Sequence, residues 1–248
     1  MKNPKYVVIT PVRNEADHVP KTIDSMVCQT ILPDQWIVVD DGSTDMTPLI
    51  LEEASKAHPW IHLIRRSDRG FRKPGGGVIE AFYEGYSAIK ENDWDFLVKL
   101  DGDLAFETSY FQECFGRFAS KPNLGIAGGA IYVVKNGCEK IDSQGDPPFH
   151  VRGATKIYRR ACWEQISPLV RAPGWDTIDE VRANYYGWAT QTFNELKLVQ
   201  LKATGVSDGL WRNWFKNGVA NYTTGYHPVF MTAKIINRYC KTLLLLAV

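Results

Sequence analysis

Trp94-Asp95-Phe96-Leu97-Val98-Lys99-Leu100-Asp101-Gly102-Asp103 is an apolar run that ends in two carboxylates two residues apart. The run predicts a buried strand that delivers Asp101 and Asp103 to the carboxyl edge of a sheet, where open α/β sheets bind ligands. Carboxylates this close repel each other, so a cation between them is expected. A divalent metal carrying a phosphorylated ligand fits. Mg²⁺ takes oxygen ligands, usually one or two carboxylates, and completes its shell with water and substrate phosphates. Alone, the pair is compatible with a phosphatase, a metal-binding turn or a transferase.

Upstream of this run, strand and helix alternate. Tyr6 to Thr10 is a continuous β-rich run, followed by the loop Pro11-Val12-Arg13-Asn14-Glu15. Val19, Ile23, Met26 and Val27 recur at helical spacing and predict a helix over 17–29. Trp36-Ile37-Val38-Val39 reads as a second buried strand and ends in Asp40-Asp41-Gly42-Ser43-Thr44-Asp45. Thr47-Pro48 opens the next helix, with Thr as cap and Pro at the first helical position. Trp60 to Ile64 reads as a third strand, and Val78, Phe82, Gly85 and Ile89 mark one face of a further helix. Such alternation predicts a mostly parallel central sheet with helices on both faces.

The second half is less regular. Tyr110, Phe111, Cys114, Phe115 and Phe118 form a core-facing helical stripe, and Leu124 to Val134 reads as a long strand or pair of strands. Asn136 to Pro148 reads as a polar loop, Val151 to Tyr158 as a strand and Arg159 to Ile166 as a short helix. Asp176 starts a helix that stops near Gly187, and Thr177 and Glu180 have capping-box spacing. Ser207 to Tyr222 and His227 to Leu246 read as helical.

Bulk properties narrow the function classes. Across 248 residues, 44% are hydrophobic and 23% charged, which is ordinary globular composition. A formal net charge of +1 gives no field for nucleic-acid binding. Five scattered cysteines (Cys28, Cys114, Cys138, Cys162, Cys240) form no CxxC pair, so reduced thiols are expected rather than a zinc site or a disulfide framework. No signal peptide is read at Met1-Lys2-Asn3-Pro4-Lys5, and no apolar stretch reaches the ~20 residues of a membrane span. The expected location is cytoplasmic. The short tail Leu243-Leu244-Leu245-Leu246-Ala247-Val248 reads as a packed terminal helix. With Lys234, Arg238 and Lys241 on that helix, a peripheral contact with the inner membrane face is the sharper alternative.

Three strand ends thus gather polar groups at one edge: residues 10–15, 40–45 and 101–103. The stretches VVITPVRNEADHVPKTIDSMVCQT, WIVVDDGSTDMT and FLVKLDGD, with a weaker GWDTIDE, make the chain similar to the family 2 glycosyltransferases. The resemblance implies the Rossmann-like, three-layer GT-A fold, a single domain over 1–248, and a nucleotide-sugar-binding half (1–105) before an acceptor-binding half with C-terminal helices (106–248). It implies that Thr10, Pro11 and Glu15 line the nucleoside pocket with Arg13 beside them. Asp41 would meet the base, usually uracil, and Asp40 would adjoin it. Carboxylates accept hydrogen bonds from the N–H edges of a base. Asp101 would lie near ribose and metal, Asp103 would be the main ligand of Mg²⁺ or Mn²⁺, and Gly102 would let the backbone approach the sugar-diphosphate. Turn-making and helix capping are the plain alternatives for Asp40 and Asp45.

Arg65 to Gly77 holds five cationic residues and then three glycines that open a helix. Exposed backbone N–H groups and a helix N-terminus attract anions, so Arg72 or Lys73 is expected to hold the diphosphate. Inverting members of the family carry an acidic residue ahead of a Gly-Trp pair. Here Asp176 stands eleven residues before Gly187-Trp188, with Trp175 where the family's Glu would be. Asp176 is therefore the first choice of general base, with Asp179 and Glu180 as rivals. A helix N-terminus favours the ionised form of such a carboxylate. By resemblance His227 would complete a metal shell, against a plain role at a helix start. Trp175, Trp188, Trp211 and Trp214 are stacking candidates for sugar faces, although most tryptophans pack in cores. The implied partners are a nucleotide-sugar donor and a glycan or lipid-linked acceptor. The alternatives are an inactive nucleotide-sugar-binding module and a phosphatase of the haloacid dehalogenase type. The latter's strand lies near the N-terminus, and where it usually has Thr or Val this chain has Ala105.

Overall fold

In the computed structural model, residues 3–68, 70, 76–90, 93–135, 137–142, 146–202, 218–219, 221–222, 224–229 and 231–233 are described. Four strands, β1 (Tyr6–Val12), β2 (Gln35–Asp40), β3 (Ile61–Arg65) and β4 (Phe96–Leu100), run parallel in the order β3-β2-β1-β4. Helices α1 (Val19–Val27), α2 (Thr47–Ala57) and α3 (Gly76–Ser87) join them. Every residue of β2 and β4 is buried. This follows from having helices on both faces, which also makes such strands read as unbroken apolar runs.

The faces are packed by different helices. Tyr6, Val8, Trp36, Val38, Phe96 and Val98 share one core with α1, α2 and α4 (Tyr110–Ser120). Val7, Ile9, Ile37, Val39 and Leu97 share the other with α3, α5 (Arg160–Ile166) and α6 (Trp175–Tyr185). The period-2 alternation of a strand sends neighbouring residues to opposite layers. Full burial of each such side chain contributes about 1.5–3 kcal/mol, so both layers are needed to hold β1, β2 and β4 in place.

Beyond β4 the sheet becomes mixed. β8 (Thr155–Arg159) pairs antiparallel with β4 and with β6 (Leu124–Lys135), and β9 (Ala189–Gln200) lies parallel to β6. β5 (Leu104–Phe106) closes the far edge against β9, and β7 (Cys138–Ile141) pairs with β6. β7 lies inside the stretch expected to be a polar loop. Val151 to Ala154, expected as strand, instead form a turn ahead of β8, where Asp101 N–H donates to the Ala154 carbonyl at 2.9 Å. The expected capping box on α6 is not formed. Gly174, at φ 87°, caps that helix, and the Glu180 carboxylate turns inward to His150, Val151 and Lys156.

Candidate active site

Because β1, β2 and β4 are parallel neighbours, their carboxyl ends open on one edge. Val12 pairs with Asp40, and Asp41 N–H donates to the Val12 carbonyl at 2.8 Å. The first two loops are then stitched together. Asn14 N–H donates to Ser43 Oγ at 2.9 Å, Thr44 N–H to Asn14 Oδ1 at 2.8 Å, and Glu15 N–H to Thr47 Oγ1 at 2.8 Å. Asp45 takes the N–H groups of Thr47 and Ala16, the turn-making role expected as its plain alternative, while Met46 is the N-cap of α2. Asp40 is buried and accepts from Ser43 N–H at 2.9 Å, also a turn contact.

Asp41 faces Arg66, whose Nη1 lies 2.5 Å from Oδ1, while Arg66 Nε reaches Glu84 at 2.7 Å. Arg13 donates to the Asp41 carbonyl at 2.7 Å and to Asp68 at 2.6 Å. The basic loop therefore meets the β2 loop through Arg66. Arg72 and Lys73 lie outside the described residues, as do Trp211, Trp214 and the apolar tail. Thr10 is fully buried, and its hydroxyl accepts from the Trp36 indole N–H at 2.8 Å. It braces the strand from behind and offers no pocket surface, contrary to the expectation from resemblance. Pro11 is partly exposed.

At the end of β4, Asp101 is partly exposed and Asp103 is buried. Asp103 Oδ2 accepts from Gln200 Nε2 at 3.1 Å, and its carbonyl accepts from Leu201 N–H at 2.8 Å. Burial, with Asp101 and Glu15 nearby, pushes the Asp103 carboxyl up to about 7, against the opposing effects of Gln200 and Lys99. Glu15 Oε1 meets Lys202 Nζ at 2.7 Å, while its Oε2 is buried without a partner among the described residues. Gly102 also has a packing role. A Cβ there would stand 2.4 Å from Val12 Cγ1, so the glycine lets the acidic loop pack on β1.

The turn before β8 joins this acidic end to α6. Lys99 Nζ binds both Asp101 Oδ1 and the Gly153 carbonyl. A Cβ on Gly153 would lie 3.0 Å from Asp176 Oδ2 and 3.0 Å from the Trp175 ring. Lys99 and Gly153 together thus link Asp101 to Asp176. Asp176 sits in the first turn of α6, partly exposed, and its carboxylate has no hydrogen bond or ion pair among the described residues. Its rivals are occupied. Asp179 is buried and accepts from Lys156 Nζ at 2.7 Å and Tyr158 Oη at 2.6 Å. Glu180 is buried and accepts from Val151 N–H at 2.7 Å and Lys156 at 3.0 Å, with His150 Nδ1 at 3.0 Å. Trp188 donates to Gln165 at 2.9 Å, away from this acidic cluster. His227 is exposed, and its Nδ1 accepts from Val229 N–H at 3.3 Å, the helix-start role. Among the described residues no three His, Cys, Asp or Glu side chains form a metal-holding group, so His227 is not brought to Asp101 and Asp103.

Lys156 is fully buried between two carboxylates. Removing one partner of a buried ion pair leaves an uncompensated charge and costs about 3–5 kcal/mol. Lys156→Met is therefore expected to lower Tm by roughly 6–20 °C in thermal denaturation, at about 2–4 °C per kcal/mol for a domain of this size. The Glu180 carboxylate also raises the His150 pKa, through its hydrogen bond above all. A group whose pKa is raised on folding stabilises below its unfolded value, about 6.5, and loses that contribution as pH rises through the folded value. Asp103, also raised, adds a second decline ending near pH 7. Urea denaturation should thus show stability falling as pH rises above about 6. In His150→Gln the decline above about pH 6.5 should be shallower.

Residues 7–168 match the family described as Glycosyl transferase family 2. The chain belongs to this family. Membership sets aside the phosphatase reading of Asp101-Gly102-Asp103. The family 2 glycosyltransferase chain is 30% identical over 128 residues to Glycosyltransferase GlyA of Streptococcus pneumoniae, covering 46% of this chain and 18% of that protein. It is 25% identical over 146 residues to Chondroitin synthase of Escherichia coli, covering 58% of this chain and 18% of that protein. It spans under a fifth of the length of either relative. Among solved structures, mannosyltransferase PcManGT from Pyrobaculum calidifontis, in complex with GDP-Man and Mn²⁺, superposes with a TM-score of 0.60 at 19% identity. That match covers 83% of this chain and 59% of that one. S. aureus TarS 1–349 in complex with UDP-GlcNAc gives a TM-score of 0.60 at 18% identity, covering 83% and 61%. The glycosyltransferase therefore has the GT-A fold, a mixed α/β sheet with helices on both faces.

Sequence reasoning missed Arg66, Gln200 and Lys202 as parts of the site, and Lys99 and Gly153 as links within it. Arg66 was visible as one of the cations after β3. Gln200 ends β9, whose register with β6 shifts, and Lys202 lies just beyond that strand.

Proposed function

We propose that this domain moves a sugar from a nucleotide-sugar to a hydroxyl acceptor by a single inverting displacement that depends on Mg²⁺ or Mn²⁺. The observation that carries the reading is excess negative charge at the end of β4. Asp103 is driven up to about 7, and Glu15 Oε2 is buried without a partner among the described residues. A cation and a diphosphate complement such a place, and all-oxygen donors suit Mg²⁺ or Mn²⁺. Asp103, with Asp101, would hold the cation. When bound, it stabilises charge building on the departing diphosphate.

The remaining work falls to this chain's residues. Asp41, with Arg66 and Arg13 behind it, faces the base. Asp40 fixes the turn that aims Asp41. Asp176 takes the proton from the acceptor hydroxyl as that oxygen attacks the sugar carbon on the face opposite the leaving group. Asp176 is preferred over Asp179 and Glu180 because its carboxylate is not spent on structural contacts. Neighbours with GDP-Man and with UDP-GlcNAc support a nucleotide-sugar donor, and UDP-sugars are the first expectation. The acceptor is read as a glycan or a lipid-linked molecule.

Thermal-shift screening against UDP, GDP and their sugars, with and without Mn²⁺, tests this. A ligand at 100 times its Kd stabilises by about 2.7 kcal/mol. One nucleotide class should raise Tm clearly more with Mn²⁺ than without. No shift with any nucleotide at millimolar concentration would reject the reading.

A further inference from the structure

Lys99 is an unusual residue for the middle of a sheet covered on both faces. Its side chain is 2% exposed, and it stands opposite Lys156 in the β4–β8 register. Two like charges directly opposed on a sheet repel, so each lysine needs its own partners. Lys156 takes Asp179, Glu180 and the Asp176 carbonyl. Lys99 takes Asp101 and the Gly153 carbonyl. The Trp175 ring covers both ammonium groups, 5.6 Å from each. The acidic pair at the end of β4 is therefore not two equivalent carboxylates. One already carries an internal cation.

We propose that Lys99 is a built-in counter-ion that keeps Asp101 occupied, so that a divalent cation enters the site together with a nucleotide diphosphate and not before it. This rests on the reading of Asp101 and Asp103 as the diphosphate end of a donor site. Without nucleotide, an entering cation finds one buried carboxylate at Asp103, one neutralised carboxylate at Asp101, and the Lys99 ammonium beside it. Mg²⁺ and Mn²⁺ sites of this kind depend on substrate phosphate oxygens to complete the shell. A diphosphate supplies those oxygens and the negative charge that outweighs Lys99. Linkage makes the effect reciprocal, so the cation strengthens nucleotide binding by the same factor. A purely structural lysine, tying the loop to Gly153, makes the opposite forecast. Its loss would loosen the loop and weaken cation binding.

The test is Mn²⁺ binding, read by electron paramagnetic resonance and calorimetry, alone and with saturating UDP or GDP. In the wild-type chain, nucleotide should tighten Mn²⁺ binding by at least about tenfold. Lys99→Met should bind Mn²⁺ alone about tenfold more tightly than wild type, and the gain from nucleotide should shrink correspondingly. Lys99→Gln keeps a donor for Asp101 and Gly153 but no charge, and should behave the same way. It also provides the measurement if circular dichroism shows that the Met variant does not fold. Lys99→Arg should retain the wild-type dependence on nucleotide. Neutral variants that bind Mn²⁺ alone no more tightly than wild type would overturn the proposal, as would wild-type affinity indifferent to nucleotide. If UDP and GDP both fail to bind with or without Mn²⁺, or Asp103→Asn leaves Mn²⁺ binding unchanged, the donor-site reading itself fails and the proposal with it.

Discussion

Asp103→Asn is expected to lower kcat/KM for sugar transfer by roughly 10²–10³-fold, the loss typical when one group stabilising transition-state charge is removed. Mn²⁺ should no longer enhance nucleotide binding in this variant. Stability should not suffer. The carboxylate is buried and held up to about 7, so its ionised form opposes folding in neutral solution. A neutral amide of the same shape removes that opposition and can still accept from Gln200. Tm at pH 7.5 should therefore equal or exceed the wild-type value. Unchanged kcat/KM would exclude Asp103 as the cation's ligand. Loss of activity together with a lower Tm would show damage to the fold instead.

Asp176→Asn is expected to reduce kcat by roughly 10²–10⁴-fold, the range for removal of a positioned acid or base. Donor affinity, measured by calorimetry with Mn²⁺, should change little. Asp179→Asn makes the contrast. Asp179 binds Lys156, Tyr158 and the Glu180 N–H from a fully buried position, so its loss should appear first as a lower Tm. Burial raises the Asp179 pKa to about 6 despite Lys156, a setting created by packing. Should Asp179→Asn retain stability yet lose transfer, the base would be one turn further along α6.

The first hundred residues were legible because burial on both faces wrote their strands as unbroken apolar runs punctuated by polar loops. The three loop ends at Arg13, Asp41 and Asp101 could be placed on one edge from parallel topology alone. Lys99 and Lys156 were harder. A charged residue in an apolar strand reads as an interruption, and only the cross-strand register puts these two opposite each other. Glu180 had capping-box spacing, but the Val151 N–H, His150 and Lys156 offered better partners, and tertiary contacts overrode the local signal. Gly102 was read only for its approach to a ligand, and its close packing on Val12 Cγ1 was not read. Thr10 likewise was read toward the pocket, and its hydroxyl turned out to serve Trp36. Such cases share one cause: sequence spacing gives position along an element, while the direction a side chain faces is set by what packs against it.

The register shift in β9 has a consequence for how this domain tolerates change. Gly129 pairs with Phe193 but Ala130 pairs with Lys197, so Asn194, Glu195 and Leu196 stand outside the ladder, at the larger of its two register shifts. Downstream of it the strand delivers Gln200 to Asp103, and Lys202 to Glu15 just beyond its end. One residue of strand advances about 3.3 Å and reverses the side chain's face. The exposed pair Asn194 and Glu195 acts as a length adjuster. Leu196, by contrast, is buried in the core and its carbonyl packs on Gly129, so a single-residue change between 196 and 200 would disturb the core and turn Gln200 and Lys202 away from their acids. Loop grafting or homologue splicing in this domain should therefore cut between 194 and 195.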